Sequence, residues 1–170
     1  MPASPASAKG VKRKGKIVNI SEIQKERGMD LPSDYLEFVS DIDAGEDYCF
    51  NEYPEEYPDF EGRYWAFFDE ELLCENIEMS RVGRAPAHRQ LELYLKYYQE
   101  FSNSDFVYSS EGDLPISRVA NGFVVAEENG DLLYLDPADN FSVWIFHHDG
   151  SDVKKVSNSI SEWLARATIA

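Results

Sequence analysis

Cysteine is nearly absent. Cys49 and Cys74 are the two in 170 residues, and neither sits in a CxxC pair. That excludes a disulfide-stapled scaffold and the common zinc and redox motifs. No apolar run approaches the roughly 18 residues that a membrane-spanning helix needs. The first twenty residues carry charge but no apolar stretch of the kind a secretory leader needs, so a cytoplasmic protein is expected. GxSxG, Walker, GxGxxG and HExxH motifs are all missing. Basic residues are also scarce: 16 Lys and Arg stand against 32 Asp and Glu, a net charge of −16.

The chain has ample material for a core, with 43% hydrophobic and 14% aromatic residues. Wholesale disorder is thereby excluded, and the length suits one domain. The charge is unevenly placed. Residues 1–27 hold seven bases and two acids, a net of +5, leaving nine bases and 30 acids, a net of −21, for residues 28–170. We read 1–27 as a flexible basic tail, with a short helix or extended piece within 19–27, and 28–170 as a single domain. So negative a body repels phosphate backbones and anionic membrane surfaces, so neither nucleic acid nor membrane is an expected partner. It suits a basic protein partner, unless the charge serves solubility alone.

Periodicity sets the elements. Apolar residues at 35, 38, 39 and 42, with acids near the start, predict a first helix that Gly45 ends. Residues 46–62 hold seven acids, five aromatics and no base, and Pro54 and Pro58 forbid a regular helix there. A loosely ordered excursion is expected. Arg63–Phe68 reads as a strand, 72–79 as a strand or short helix, and 80–87 as a connector. His88–Ser102 reads as a helix packed on more than one side. Beyond residue 122, four apolar runs separated by Asn129-Gly130, 136–140 and 149–151 predict an antiparallel four-strand meander. A last helix follows, with Ile160, Trp163 and Leu164 on one face. Phe38, Trp144, Phe146 and Trp163 are the expected core aromatics. The fold class is α+β: an antiparallel or mixed sheet packed with about three helices.

Candidate chemistry is thin. His147 and His148 are neighbours on a strand and point to opposite faces, which disfavours a shared metal ion. The acidic surroundings oppose a reactive thiol at Cys49 or Cys74, and a small buried hydrophobe is the better reading. The adjacent carboxylates Glu55-Glu56, Glu70-Glu71 and Glu127-Glu128 read as solvated. No catalytic residue and no metal ligand is expected.

Several pieces in order resemble one family. Leu31-Pro32-Ser33-Asp34-Tyr35 opens the first helix. Leu114-Pro115-Ile116, Gly130-Asp131 running into a strand that ends at Asp136, Val143 to Asp149 with Trp144 and His147-His148-Asp149, and a Ser-led last helix follow. This set is similar to the SUKH superfamily, which includes fungal cell-wall-assembly regulators and many bacterial immunity proteins. The likeness covers 31–45 and 114–167. It departs from the pattern at Asp43-Ala44-Gly45 and at Ser159-Ile160, and the middle, 46–113, matches nothing familiar. The resemblance implies a cofactor-free, non-enzymatic immunity protein that neutralises a cognate toxin domain. An intracellular scaffold of the cell-wall-regulator type is the alternative, and a small hydrolase-like enzyme a third. The expected partner-binding residues are Glu52, Tyr53, Glu55, Glu56, Tyr57, Asp59 and Glu61, with the Glu127–Asp131 hairpin as the second candidate surface.

Overall fold

Local capping signals shape the start of the chain in the computed structural model, which describes residues 12–13, 16–17, 19–42 and 46–169. The short strands β1 (Lys12–Arg13) and β2 (Lys16–Ile17) pair antiparallel. Helix α1 (Ile20–Arg27) starts where the Asn19 side chain accepts a hydrogen bond from the Glu22 amide, and Gly28 ends it in the left-handed region (φ 62°). Residues 20–27, counted with the basic tail, thus form the short helix that the sequence reading allowed there. Ile23 is buried in the core, and Arg27 donates to the carbonyl oxygens of His88 and Asn121. Helix α2 (Ser33–Asp41) follows Pro32 and buries Tyr35 and Val39. Phe38 is only half-buried, edge-on to Tyr48 and Phe67. The expected stop at Gly45 lies outside the described residues.

One antiparallel seven-stranded sheet organises the rest. Its strands are β3 (Asp47–Phe50), β4 (Arg63–Phe67), β9 (Phe123–Glu128), β10 (Asp131–Asp136), β11 (Ser142–His147), β12 (Asp152–Ser157) and β13 (Thr168–Ile169), in the order β12-β11-β10-β9-β4-β3-β13. The last four long strands are the expected meander. Asn129 and Gly130 both take positive φ, 50° and 93°, as a type I′ hairpin turn demands. Residues 46–50 are therefore no excursion: β3 lies inside the sheet with Cys49 and Phe50 buried. Val125 is an extra residue opposite Leu133 and Tyr134, a bulge that sends Val125 and Ala126 into the same core cluster.

Both faces of the sheet are covered, which explains why residues 132–135 of β10 and 143–146 of β11 are apolar and buried without alternation. On one face lie α1, α2 and α6 (Ile160–Arg166), whose Trp163 stacks on Phe50 at 4.7 Å. Asp34 of α2 accepts hydrogen bonds from the Ser161 amide and hydroxyl, fastening α2 to α6. On the other face lie α4 (Gln90–Ser102) and α5 (Ile116–Ala120), over Val124, Tyr134, Trp144 and Phe146. Trp144 and Phe146 thus share a strand face, opposite to that of Trp163.

The middle departs most from expectation. Helix α3 (Glu70–Leu73) precedes a hairpin of β5 (Asn76–Met79) and β6 (Gly83–Pro86), so the expected connector is partly strand. A 3-10 turn at Ala87–Arg89 delays α4 to Gln90. Leu91 and Leu95 pack on the sheet, while Leu93 packs on Val82 and Ala85 of the hairpin. His88 is buried, stacked on Phe123, and accepts a hydrogen bond at Nδ1 from Arg27 (2.9 Å). Burial, with Arg27 and Arg89 close by, lowers its pKa to about 3 and keeps it neutral. Short strands β7 (Phe106–Val107) and β8 (Leu114–Pro115) lead into α5. Six α-helices stand among the described residues where about three were expected.

Candidate partner-binding surface

Residues 51–62 link β3 to β4, and their own side chains fix their path. Asn51 Nδ2 donates to the carbonyls of Tyr57 (2.8 Å) and Phe60 (3.0 Å), while its Oδ1 accepts from the Tyr53 amide (2.8 Å). The Tyr57 amide donates to the Tyr53 carbonyl at 2.9 Å. Gly62 closes the loop at φ 123°, where a Cβ would lie 2.3 Å from the Phe50 carbonyl carbon. Only glycine fits both that space and that conformation. The loop is a stapled structure, not a loose one.

Its foot is an ionic cluster at one end of the sheet. Arg63 Nε donates to Glu52 Oε1 (3.0 Å), and Nη1 donates to Glu128 (2.5 Å) and Asp131 (2.8 Å). Arg63 Nη2 stands 2.8 Å from the same Glu52 oxygen, within ion-pair range but without a hydrogen bond. His147 lies between Glu52 (3.3 Å) and Asp152 (3.2 Å). The hydrogen bond to Glu52 raises its pKa against the opposing effect of burial. Burial pulls the Glu52 carboxyl upward, but the His147 hydrogen bond and the Arg63 charge outweigh it and hold the pKa below the ordinary value. Asp131 behaves alike: burial raises it, and hydrogen bonds from Arg63 and the His148 amide more than reverse that. Lys154 Nζ donates to the Glu52 carbonyl (2.8 Å) and sits 3.7 Å from the centre of the Tyr53 ring.

The expected partner-binding set therefore divides. Glu52, 8% exposed, is an internal ion-pair partner, and the charge proposed for the surface is spent on Arg63 and His147. Tyr53 is half-buried beneath Lys154 and edge-on to Tyr57. Glu55, Glu56, Tyr57, Asp59 and Glu61 are exposed together at the apex, Tyr57 at 61%. Phe60 and Tyr64 join them and were not expected. Tyr64 follows from strand alternation, since it neighbours the buried Trp65, and its hydroxyl donates to Glu61 (3.2 Å). The second candidate surface is largely consumed, because Glu128 and Asp131 are held by Arg63; Glu128 is thus not a solvated acid.

The remaining polar candidates are also engaged within the fold. His148 Nδ1 lies 2.6 Å from Asp131 and Nε2 3.1 Å from Asp149, so the two adjacent histidines serve different carboxylates. Among the described residues no group of three His, Cys, Asp or Glu is placed to hold a metal ion, and no helix is long and apolar enough to cross a membrane. Cys49 is buried, its thiol within 3.2 Å of the Glu61 carbonyl, and burial raises its pKa. That leaves an acidic and aromatic loop apex exposed to solvent.

Comparison with known proteins adds a family. A model described as the SMI1/KNR4 family (SUKH-1) matches residues 16–166, including the middle segment that the sequence motifs left unplaced. No curated protein and no solved structure matches the chain.

Proposed function

The chain belongs to the SMI1/KNR4 family (SUKH-1), and from that premise we propose that it is a cytoplasmic immunity protein, non-catalytic and cofactor-free. It binds a basic cognate toxin domain and occludes that domain's active site through the apex of the β3–β4 loop. The observation that carries this reading is the stapled loop itself. It projects Glu55, Glu56, Asp59 and Glu61 beside Tyr57 and Phe60, while its root is pinned by Arg63 and His147.

Preorganisation of that kind lowers the ordering cost of association. Aromatic side chains on a fixed loop suit central anchors, and surrounding carboxylates suit steering of a basic partner. The field is not cancelled locally. Arg63, Lys154 and Arg166, which pack against the loop or the strand residues that flank it, are each taken up by carboxylates, a carbonyl or a ring within the chain.

The test is co-expression with the toxin domain encoded beside this gene, followed by isolation of the complex. Survival of the host and a stable complex are expected. The Tyr57→Ala/Phe60→Ala variant, folded by circular dichroism, should lose both. Full protection by that variant would move the interface off the loop. A host that dies despite soluble protein would overturn the immunity reading and favour the scaffold role.

A further inference from the structure

Residues 97–117 hold four acids, five aromatics and no base. Helix α4 commits Leu91, Leu93 and Leu95 to packing, which leaves Tyr94, Tyr97, Tyr98 and Phe101 along its remaining side. The β11–β12 turn, His148–Ser151, stands opposite, and the groove between them has a volume of about 680 Å³. Tyr94 roots it by packing on the core residue Phe146 at 5.5 Å. Tyr97 and Phe101 pack together at 4.6 Å, and the Tyr98 hydroxyl donates to the Phe106 carbonyl. That bond fastens the groove's far end to the chain at Phe106; Phe106 and Tyr108 are exposed beyond it. Exposure is 45% at Tyr97, 72% at Phe101, 51% at Phe106 and 70% at Tyr108. Single exposed aromatics are ordinary, but a contiguous set of them marks a contact surface.

Charge identifies what fits there. Asp149 stands at the lip with its side chain 93% exposed. Glu100 and Asp105, both exposed, directly precede Phe101 and Phe106 in the chain. Lys96, the nearest base in sequence, turns away and donates to the Val82 carbonyl. Aromatic faces in an anionic setting favour guanidinium and ammonium groups, which stack on the ring while pairing with the acids. Lipid headgroups of negative charge are repelled, and a second copy carrying −16 is repelled too.

We infer that the groove between α4 and the β11–β12 turn is a second docking surface, filled by a basic segment of a partner protein. Its arginine or lysine side chains lie on Tyr97, Tyr98 and Phe101. This surface is built from elements other than the β3–β4 loop and does not depend on the loop being an interface.

The probe is a fluorescent, end-capped dodecapeptide of alternating arginine and alanine, titrated by anisotropy into the full chain. Because the whole body is acidic, net-neutral substitutions separate the groove from diffuse charge. Tyr97→Ala/Phe101→Ala should weaken the peptide roughly five-fold or more, with an unchanged circular dichroism spectrum. Tyr57→Ala, on the loop, should leave its affinity within about two-fold. The matching glutamate–alanine peptide should not bind. Equal affinity for parent and Tyr97→Ala/Phe101→Ala would show a diffuse electrostatic contact and overturn the site. A loss confined to Tyr57→Ala would overturn it in favour of the loop. Sedimentation showing a parent dimer that the double variant abolishes would assign the groove to a second copy instead.

Discussion

Two stretches of this chain share a composition and differ in what becomes of it. Residues 46–62 and 97–117 each hold five aromatics and no base, with seven acids in the first and four in the second. In the first, Tyr48 and Phe50 enter the sheet, Glu52 is buried among cations, and Tyr53 lies under Lys154. Surface function falls to the apex alone. In the second, leucines already satisfy the packing of α4, so Tyr97 and Phe101 are left to solvent. Composition marks both stretches as capable of contact. Which side chains are left for a partner is decided by strand alternation in one and helical period in the other.

The strongest way to break the comparison is to remove what holds the first stretch down. Arg63→Ala leaves Glu52, Glu128 and Asp131 facing one another without their shared cation. Breaking a buried ion pair from one side costs about 3–5 kcal/mol. Arg63 keeps a quarter of its side-chain surface exposed, so we expect the lower end of that range. Chemical denaturation should show it, and hydrogen exchange should localise the loosening to 51–62. Exchange in α4 should be unaffected apart from the global loss of stability. An Arg63→Ala protein as stable as the parent would mean that the loop is held by Asn51 and Gly62 alone.

Binding separates the two stretches next. Tyr57→Ala removes a ring that is 61% exposed, so stability should change by less than about 0.5 kcal/mol. Truncating a central anchor costs about 2 kcal/mol or more in binding, mainly through faster dissociation. Surface plasmon resonance against the cognate toxin domain measures both rates. Parent-like dissociation would demote Tyr57 to the rim.

Acidity and alkalinity sharpen the contrast further, because titrating ion pairs fasten the first stretch. His147 is held protonated above its ordinary value of 6.5. Its contribution is complete below that value and is lost as pH rises through the raised one. Glu52 and Asp131 are held ionised below their ordinary 4.5 and 3.8, so theirs is complete above those values and is lost as pH falls. The loop is therefore fastened best between about pH 4.5 and 6.5. Thermal midpoints should decline from mildly acidic to alkaline pH, and His147→Gln should flatten that alkaline decline. An identical alkaline slope in both proteins would assign it to other groups.

The sequence carried the meander and helices α2 and α6 well, because their evidence is local. Asn129-Gly130 names its own turn, and Ile160, Trp163 and Leu164 name one helix face. The three layers were not legible, since the uninterrupted apolar runs of β10 and β11 do not reveal what covers the second face. The β5–β6 hairpin was missed because its strands carry Arg84, Pro86 and Glu78 rather than an alternating apolar pattern. At the candidate site the sequence singled out the 46–62 segment, but it gave no sign of the role of Glu52. Nothing local distinguishes Glu52 from Glu55. Its partners are 11 and 95 positions away, and only folding brings them within reach. The aromatic side of α4 was visible as an excess of apolar residues, without any sign of which would stay exposed.

The smallest effect is the most discriminating for the loop apex. Glu55 and Glu56 are both exposed, so reversing them to lysine leaves the ionic foot intact. Exposed charges contribute little to a formed complex, about 0–1 kcal/mol per pair. They do shape the long-range field that guides encounter, and salt screens that field over roughly 10 Å. Glu55→Lys/Glu56→Lys should therefore slow association with a basic partner and flatten its dependence on salt, with dissociation within about two-fold of the parent. The same reversal at Glu100 and Asp105 should weaken the arginine–alanine peptide while leaving toxin association unchanged if the two surfaces act separately. The reverse pattern at Glu55 and Glu56, faster dissociation at unaltered association, would place these two acids inside the contact, with Tyr57 at its edge.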